Sequence, residues 1–475
     1  MKKSSIVFGA VIILGAAWTG SAWYTGKNIE TYLEQRVEMI NHHLANLGTE
    51  TSNIKFDHVK IERGIFSSQI HYDVVATLPD NTLTIPFEGT MYHGPFPLNR
   101  LRQFNFAPVL LSSQDSVVKN AQTQAWFDYA QGKNPMLNTF TLDYDYTVSG
   151  RSELAAIQLP LDDANILWKG GVLNFDNVTD KGEGLFEGVI DDFQVNVNAT
   201  AHNAAMSLSS EKIKFENNLQ ASNWENILLG KQKIQFDQLR FSQEAKKSNP
   251  ALNMLYKNLV FEGETLKNGE FIDYKTKINL PEAWLNNTKL GKLEIGLDLT
   301  HLEANTLNAL LALIEKNEVS EDASQQLYAL LTKLAEHSAA VSIKPLTITT
   351  DAGDVKADAL IEMANANFDV LKEGKTLSLF KQLNANVDLN KVALKELLVN
   401  LEHATSGKNK EQVMAQTTLL VDHFIRDLTR NGVFVDNGDH ATLKLILENG
   451  ELKLNGYVIP EAQILMSLLL LGVGS

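Results

Sequence analysis

The side chains that could carry chemistry in this chain are histidines, carboxylates and hydroxyls, because its 475 residues include no cysteine. That absence excludes disulfides, thiolate zinc sites and cysteine nucleophiles. His42 and His43 lie in a predicted helix, where adjacent side chains point about 100° apart and do not readily share a metal ion. Asp143 and Asp145 share a predicted strand face, but they alternate with tyrosines as on the solvated side of a sheet. The sequence therefore predicts no metal and no cofactor.

His93 is the histidine with the most distinctive surroundings. It lies in the segment Tyr92 to Pro97, whose two prolines remove backbone donors and end any regular ladder. A ring beside such a turn could act as a pH switch or contact a partner. The pattern favours a simpler role, a hydrogen bond that holds the turn. Serine-nucleophile and zinc-helix motifs (G-x-S-x-G and H-E-x-x-H) are absent, so the sequence predicts a protein that is not an enzyme.

The chain begins with two lysines and an uncharged, mostly apolar run that reaches Tyr24. A spanning helix needs about 20 apolar residues, and Trp or Tyr suits its end. A cleaved signal peptide is the alternative, since Gly20 to Ala22 supplies small residues for a cleavage site. Continuation of the run through Trp23 and Tyr24 favours a retained signal anchor. The predicted anchor residues are Ile6, Val7, Phe8, Val11, Ile12, Ile13, Leu14, Trp18, Trp23 and Tyr24.

Charge and size indicate a compartment and limit the partners. The net charge is -15, from 57 acidic and 42 basic residues, which argues against nucleic acid as a partner because nucleic acid requires surplus Lys and Arg. A chain of this length can build a core large enough to fold without disulfides. Lys2 and Lys3 stay in the cytoplasm under the positive-inside bias. We therefore predict a single-pass protein of the cell inner membrane with most of its chain in the periplasm.

Hydrophobic spacing predicts the order of elements behind the anchor. Apolar residues at three- and four-residue spacing indicate helices over 28–47 and 112–129. Apolar residues at every second position indicate strands from residue 54 onward. Strand segments separated by glycine and asparagine turns favour an antiparallel meander over 136–285. The predicted fold class is α+β, with an N-terminal transmembrane helix, a body rich in antiparallel β-meander and a C-terminal pair of repeats.

The repeated unit is strand, helix, helix and hairpin, at about 290–365 and again at about 380–460. Gly353 and Gly450 occupy corresponding hairpin turns. The apolar run at 464–473 is too short to span a bilayer, which favours a last core helix or an apolar plug in the sheet. The predicted domains are an anchor at 1–25, a membrane-proximal helix and β domain at 26–135, the meander at 136–285 and the repeats with the apolar tail at 286–475.

Three separated segments together resemble a known family: Trp23-Tyr24-Thr25-Gly26, Glu62 to Ser68, and Tyr92 to Pro97. In this combination the chain resembles the YdgA/YihF family of bacterial envelope proteins, and the resemblance covers nearly its whole length. It implies an inner-membrane protein exposed to the periplasm, with self-association as one option, and it supplies no catalytic residues. Glycine in these segments suits a turn or a close backbone approach. The family-motif positions are Arg63, Gly64, Tyr92, His93, Gly94 and Pro95.

Three functional hypotheses follow. The first is a non-enzymatic envelope protein that binds a lipid or an extended polypeptide, such as an unfolded outer-membrane protein, on a long β-sheet surface. The second is an envelope scaffold that forms a homodimer or larger homo-oligomer through the helix at 28–47 or the C-terminal tail. The third, a hydrolase, ranks last because no nucleophile, base and metal ligand come together. A continuous apolar groove on the sheet would favour the first hypothesis.

Overall fold

The computed structural model describes the chain in two compact units. Unit 1 comprises residues 1–161 and 165–193, and unit 2 comprises residues 162–164 and 194–475. The described residues are 53–460 without 79–80, 162, 201–203, 247–250, 316–319 and 365–374, together with Thr19, 21–27, Leu33, 37–38, 40–41 and 44–45. The described positions of the predicted helix over 28–47 are helical. The apolar run at 464–473 lies outside the described residues.

Unit 1 is an antiparallel meander in which most strands pair with the next strand along the chain. β6 then pairs with β9, and β9 with β10, while β7 and β8 form a hairpin. The strands are β1 (Asn53–Arg63), β2 (Ser67–Leu78), β3 (Asn81–His93), β4 (Leu111–Val117), β5 (Met136–Leu142), β6 (Val148–Leu154), β7 (Ile157–Pro160), β8 (Ala164–Trp168), β9 (Gly171–Val178) and β10 (Gly184–Ile190). Two short helices, α1 (Leu98–Arg102) and α2 (Gln124–Tyr129), interrupt the meander.

The predicted helix over 112–129 is wrong in its first half. Leu111–Val117 forms β4, which pairs with β3 on one side and with β5 on the other. Successive side chains of a strand point to opposite faces, and here the side chain of Asp115 is buried whereas its neighbour Gln114 is exposed. The helical part of this segment is Gln124–Tyr129.

Unit 2 contains the longest strands that the structure describes. From β12 to β19 each strand pairs antiparallel with the next, and β19 then pairs with β21. The strands are β11 (Phe193–Val197), β12 (Met206–Ala221), β13 (Leu228–Gln243), β14 (Leu252–Asn268), β15 (Phe271–Leu285), β16 (Thr288–Glu303), β17 (Ala340–Thr350), β18 (Gly353–Met363), β19 (Phe380–Asn390), β20 (Val435–Asn437), β21 (His440–Glu448), β22 (Glu451–Leu454) and β23 (Tyr457–Ile459).

Two helix pairs interrupt the unit-2 strands, and the order strand, helix, helix, hairpin occurs twice. The helices are α3 (Ala304–Glu315) and α4 (Glu321–Glu336) after β16, and α5 (Lys391–Ser406) and α6 (Lys410–Arg430) after β19. Side chains of Ser320, Asn390 and Asn409 accept hydrogen bonds from backbone N–H groups in the first turns of α4, α5 and α6. Such caps satisfy donors that a helix start leaves free, which fixes where each helix begins.

The predicted fold class is wrong, because antiparallel sheet dominates and the class is nearly all-β. Between residues 53 and 460 the described elements are twenty-three strands and six α-helices. Within the same residues, no helix is both long and apolar enough to cross a bilayer. The predicted anchor residues Trp23 and Tyr24 are exposed in a helical segment at 21–27.

The remaining predicted anchor residues, from Ile6 to Trp18, lie outside the described part of the chain. The predicted transmembrane helix therefore has no support in the structure. The predicted inner-membrane location rested on that helix, so it has no support in the structure either.

Candidate functional site

Three motifs that are far apart in the sequence meet at the imidazole ring of His93 in unit 1. His93 ends β3, and its side chain is 1% exposed. Its Nε2 lies 2.8 Å from Oγ of Ser68, and its Nδ1 lies 3.0 Å from the carbonyl oxygen of Ile65. The helical segment at 21–27 packs on the same ring, because a Cβ atom at Gly26 would lie 2.4 Å from Cε1 of His93. The three segments that carry the family resemblance therefore build one site, the His93 cluster.

The His93 cluster holds the imidazole in its neutral form. Burial lowers the pKa of His93 and the nearby Arg63 guanidinium acts in the same direction, while the carbonyl groups of Ile65 and Ala22 oppose them. A carbonyl oxygen can only accept a hydrogen bond, so Nδ1 carries the proton and donates it to Ile65. Nε2 then accepts a hydrogen bond from the Ser68 hydroxyl.

A serine hydroxyl that donates to a histidine nitrogen is also the arrangement of an activated nucleophile. Here both Ser68 and His93 are 1% exposed, so no substrate atom can reach Oγ of Ser68 in this arrangement. The second ring nitrogen is held by a backbone carbonyl instead of a carboxylate. The geometry therefore supports the interpretation that His93 holds the chain around it.

The glycines of the two β motifs are required by close backbone contacts. The N–H of Gly64 donates to the carbonyl of Ser67 at 2.9 Å, and the N–H of Gly94 donates to Leu110 at the same distance. A Cβ atom at Gly94 would lie 1.9 Å from the carbonyl oxygen of Val109. Any side chain there would push two backbone segments apart.

The other motif positions extend the same region. Arg63 and Tyr92 are strand residues in register with Ser68 and Ser67 respectively. The peptide bond that precedes Pro95 is cis. Their functional role stays a prediction.

A buried carboxyl group on β4 escaped the sequence reasoning. Asp115 is 6% exposed, and its Oδ1 accepts hydrogen bonds from the Tyr72 hydroxyl (3.1 Å) and from Nδ2 of Asn138 (2.6 Å). Burial raises the pKa of Asp115 to about 6, although these two hydrogen bonds act against the increase. No alternation of apolar and polar residues in Leu111–Val117 marks this carboxyl group, because Ser113 and Asp115 occupy the buried face of β4.

The other candidate residues that the structure describes do not assemble into a catalytic or metal site. No three His, Asp or Glu side chains come together as a metal site requires in the part of the chain that the structure describes. His42 and His43 lie outside that part. Asp143 and Asp145 occupy the turn after β5 instead of a strand face, and burial together with the charge of Asp145 raises the pKa of Asp143.

A second candidate surface is a row of apolar side chains that crosses unit 2. One residue from each of nine paired strands, β12 to β19 and β21, contributes to the row, and none of the nine is fully buried. A second row, four or five residues along β15 to β19, is also apolar. We call the two rows together the apolar face: Phe215, Ile234, Phe261, Ile278, Ile295, Leu346, Ala357, Val387 and Leu443 in the first, and Tyr274, Leu299, Val341, Ile361 and Leu383 in the second.

Helices cover a neighbouring row at one end of the apolar face, where Leu389 and Ala441 pack with Val421 and Ile425. On the apolar face itself several side chains keep more than a third of their surface in solvent. The exposed fractions are 40% for Ile234, 37% for Tyr274, 40% for Val341 and 39% for Ile361. Apolar residues in a cross-strand row on a sheet are ordinarily packed against a second layer. The face is thus a surface on which an apolar molecule can pack.

Comparison with known proteins assigns the chain to a family. A family model described as "Bacterial protein of unknown function (DUF945)" matches residues 1–462. The chain belongs to the DUF945 family. This assignment confirms the resemblance carried by the three motifs, since proteins named YdgA and YihF are among the similar chains.

The relatives of this DUF945 chain carry no assigned activity in their names. An uncharacterized protein of Haemophilus influenzae is 30% identical over 317 residues, which is 66% of this chain and 86% of that protein. Protein YdgA of Escherichia coli is 26% identical over 312 residues, which is 64% of this chain and 60% of YdgA. Uncharacterized protein YihF of Escherichia coli is 24% identical over 161 residues, a third of each chain. A large antiparallel sheet fits a binding role, and nothing in these comparisons indicates enzymatic activity.

Proposed function

We propose that this DUF945 protein is a non-enzymatic binding protein that holds the acyl chain of a lipid on the apolar face of unit 2. The observation that carries the proposal is the first row of that face, in which nine paired strands each supply an apolar side chain and none of the nine is fully buried. At about 4.8 Å between strands, eight intervals give a track of roughly 38 Å. That length exceeds an extended acyl chain of ordinary length.

The exposed surface is large enough to support binding. Covering about 60 Å² on each of Ile234, Tyr274, Val341 and Ile361 at about 25 cal/mol per Å² contributes about 6 kcal/mol before the cost of association. The remaining half-buried members of the face add to that amount. Affinity in the micromolar to millimolar range is therefore accessible to an apolar ligand.

Strand pairing favours a lipid over an extended polypeptide. A polypeptide joins a sheet through its backbone at a free edge, yet the strands from β13 to β19 are paired on both sides. A polypeptide lying flat on the apolar face would leave its own N–H and C=O groups without partners, which costs free energy. An acyl chain carries no such groups.

The test is lipid binding by the full chain purified without detergent, measured by native mass spectrometry and by displacement of a fluorescent fatty acid. The double variant V341N/I361N places two amides on the face at register partners and should weaken binding at least about tenfold. The control is S342N, one residue along β17 on the opposite face, which should leave affinity unchanged. Unaltered binding by V341N/I361N, or no lipid binding by the wild-type chain, would refute the proposal.

A second candidate function, self-association, is favoured by the outer helices of the two repeats. α4 exposes Tyr328 (67%) and Leu331 (49%), and α6 exposes Leu420 (71%) and Phe424 (58%). Exposed apolar side chains on equivalent helices suit a contact between copies. The test compares the oligomeric states of the wild type and of L420E/F424E by sedimentation. A wild-type chain that stays monomeric at high concentration would exclude this function.

A further inference from the structure

The strand face opposite the apolar face carries a charged groove of about 580 Å³. Its side chains come from strands β12 to β17, and cross-strand neighbours in it mostly alternate in charge. Two rows form the groove, Glu216, Lys233, Glu262, Lys277 and Gly296 in one, and Asn218, Lys231, Glu264, Lys275 and Asp298 in the other. Lys344 and Pro345 of β17 complete the wall.

The two glutamates at the centre of the groove are already paired. Nζ of Lys231 lies 3.6 Å from Glu264, and Nζ of Lys233 lies 3.0 Å from Glu262. Both lysines lie on β13, so the glutamates on β14 are engaged on that side. The three lysines on the other side, Lys275, Lys277 and Lys344, form no ion pair with any residue in the described ranges.

Gly296, which is buried, places no side chain between these three lysines. Lys277 is its register partner on β15, and on its other side β17 bulges at Lys344. A Cβ atom at position 296 would lie 2.2 Å from the carbonyl oxygen of Lys344, so only glycine fits beside the bulge. Two strand intervals separate β15 from β17 by about 10 Å, a distance that two extended lysine side chains can span to reach one group.

We propose that Lys275, Lys277 and Lys344 bind a phosphate group above the backbone of Gly296. Each ammonium group supplies up to three donors and a full positive charge, which suits phosphate oxygens. The pairing of Glu262 and Glu264 with β13 directs the positive surplus to this end of the groove. The other carboxylates of the lining are Asp298, the register partner of Lys275, and Glu216 on β12, and they disfavour anions placed beside them. This site lies on the face opposite the acyl-chain surface and does not depend on it.

A phosphate group can come from free phosphate or from the phosphodiester of a lipid head group. Isothermal titration of the full chain with sodium phosphate and, separately, with glycerophosphoglycerol distinguishes these sources. If only sodium phosphate binds, the ligand is free phosphate. If only glycerophosphoglycerol binds, the ligand is a lipid head group. Binding of both supports the site without preference, and binding of neither overturns it.

Matched double variants separate the site from general attraction between charges. K277A/K344A removes two unpaired lysines and should weaken binding at least about tenfold. K289A/K292A removes the same charge from two paired lysines of β16 that lie outside the groove, and it should change affinity less than about threefold. All four side chains are at the surface, and thermal melting checks that both variants fold. Equal losses of affinity for the phosphate ligand in the two double variants would overturn the proposal.

Discussion

At the scale of single residues, His93 and Asp115 of unit 1 are both buried, and their ionisation couples stability to pH in opposite directions. His93 has a pKa lowered by burial, so the unfolded chain takes up a proton first and stability is lost as the pH falls below about 6.5. Asp115 has a pKa raised from 3.8 to about 6, so the folded chain keeps a proton that the unfolded chain has released. Stability therefore falls as the pH rises from 3.8 through about 6.

The substitution Asp115→Asn should stabilise the protein at neutral pH. An amide at this position has no charge to desolvate, and its oxygen can still accept from Tyr72 and Asn138. The pKa rises by about 2 units at about 1.4 kcal/mol each, so the free energy of unfolding at pH 7.5 should increase by about 1–3 kcal/mol. Urea denaturation at pH 4 and pH 7.5 measures the effect, and a gain of equal size at both values would contradict the explanation.

His93→Gln should remove the loss of stability in acid while keeping much of the local structure. Glutamine can donate to the Ile65 carbonyl and accept from Ser68, but it does not titrate. We expect a loss of about 1–2 kcal/mol at pH 7.5, from imperfect packing, and a flatter slope between pH 6.5 and 5. Thermal melting across that range is the measurement. The control His423→Gln, at an exposed position of α6, should keep the wild-type slope of stability against pH.

At the scale of elements, the segment at 21–27 and the strands β1 to β3 depend on one another through the His93 cluster. Ala22, Thr25 and Gly26 of that segment are buried, whereas Trp23 and Tyr24 are exposed. One face of the segment thus packs on the strands. The ring of His93 provides the surface on which Gly26 rests.

Gly26→Ala should detach this segment more than it destabilises the sheet. The new methyl group would begin 2.4 Å from the His93 ring, so helix and ring must separate. We expect faster amide exchange across 21–27, about tenfold or more, with little change in β2 and β3. Hydrogen exchange by mass spectrometry resolves the two regions. Tyr24→Ala, at a 64% exposed position of the same segment, should leave the exchange rates near wild type.

At the scale of the whole molecule, half-exposed apolar residues and buried ones should differ in what they contribute to stability. Ile272 is 1% exposed and packs with Ile227 and Ala304. Ile272→Ala should therefore cost about 2–5 kcal/mol in the free energy of unfolding. Ile234→Ala, on the apolar face and 40% exposed, should cost less than about 1.5 kcal/mol. Chemical denaturation of the two variants makes the comparison, and similar losses would show that the apolar face is covered in solution.

The sequence predicted those features that depend on local alternation and on turn residues. Strands around Arg63 and Gly64 were predictable because hydrophobic residues alternate on both sides of the turn. The segment at 112–129 failed because serine and aspartate on the buried face of β4 hid its period of two. The approach of Gly26 and Ser68 to His93 could not be predicted, since it joins residues that lie 67 (93 − 26) and 25 positions from His93 through tertiary packing. The α+β class failed because long strands outweigh the helices that their repeats contain.

The succession of neighbouring pairs from β12 to β16 has a consequence for how the chain folds. Each of these strands finds its partner in the next strand along the chain, across turns as short as Asn286 and Asn287. Contacts between residues that are close in sequence lower the entropy cost of loop closure and favour rapid folding. The sheet can therefore grow by one hairpin at a time while the chain is still being synthesised, and each new strand covers the open edge left by the one before it.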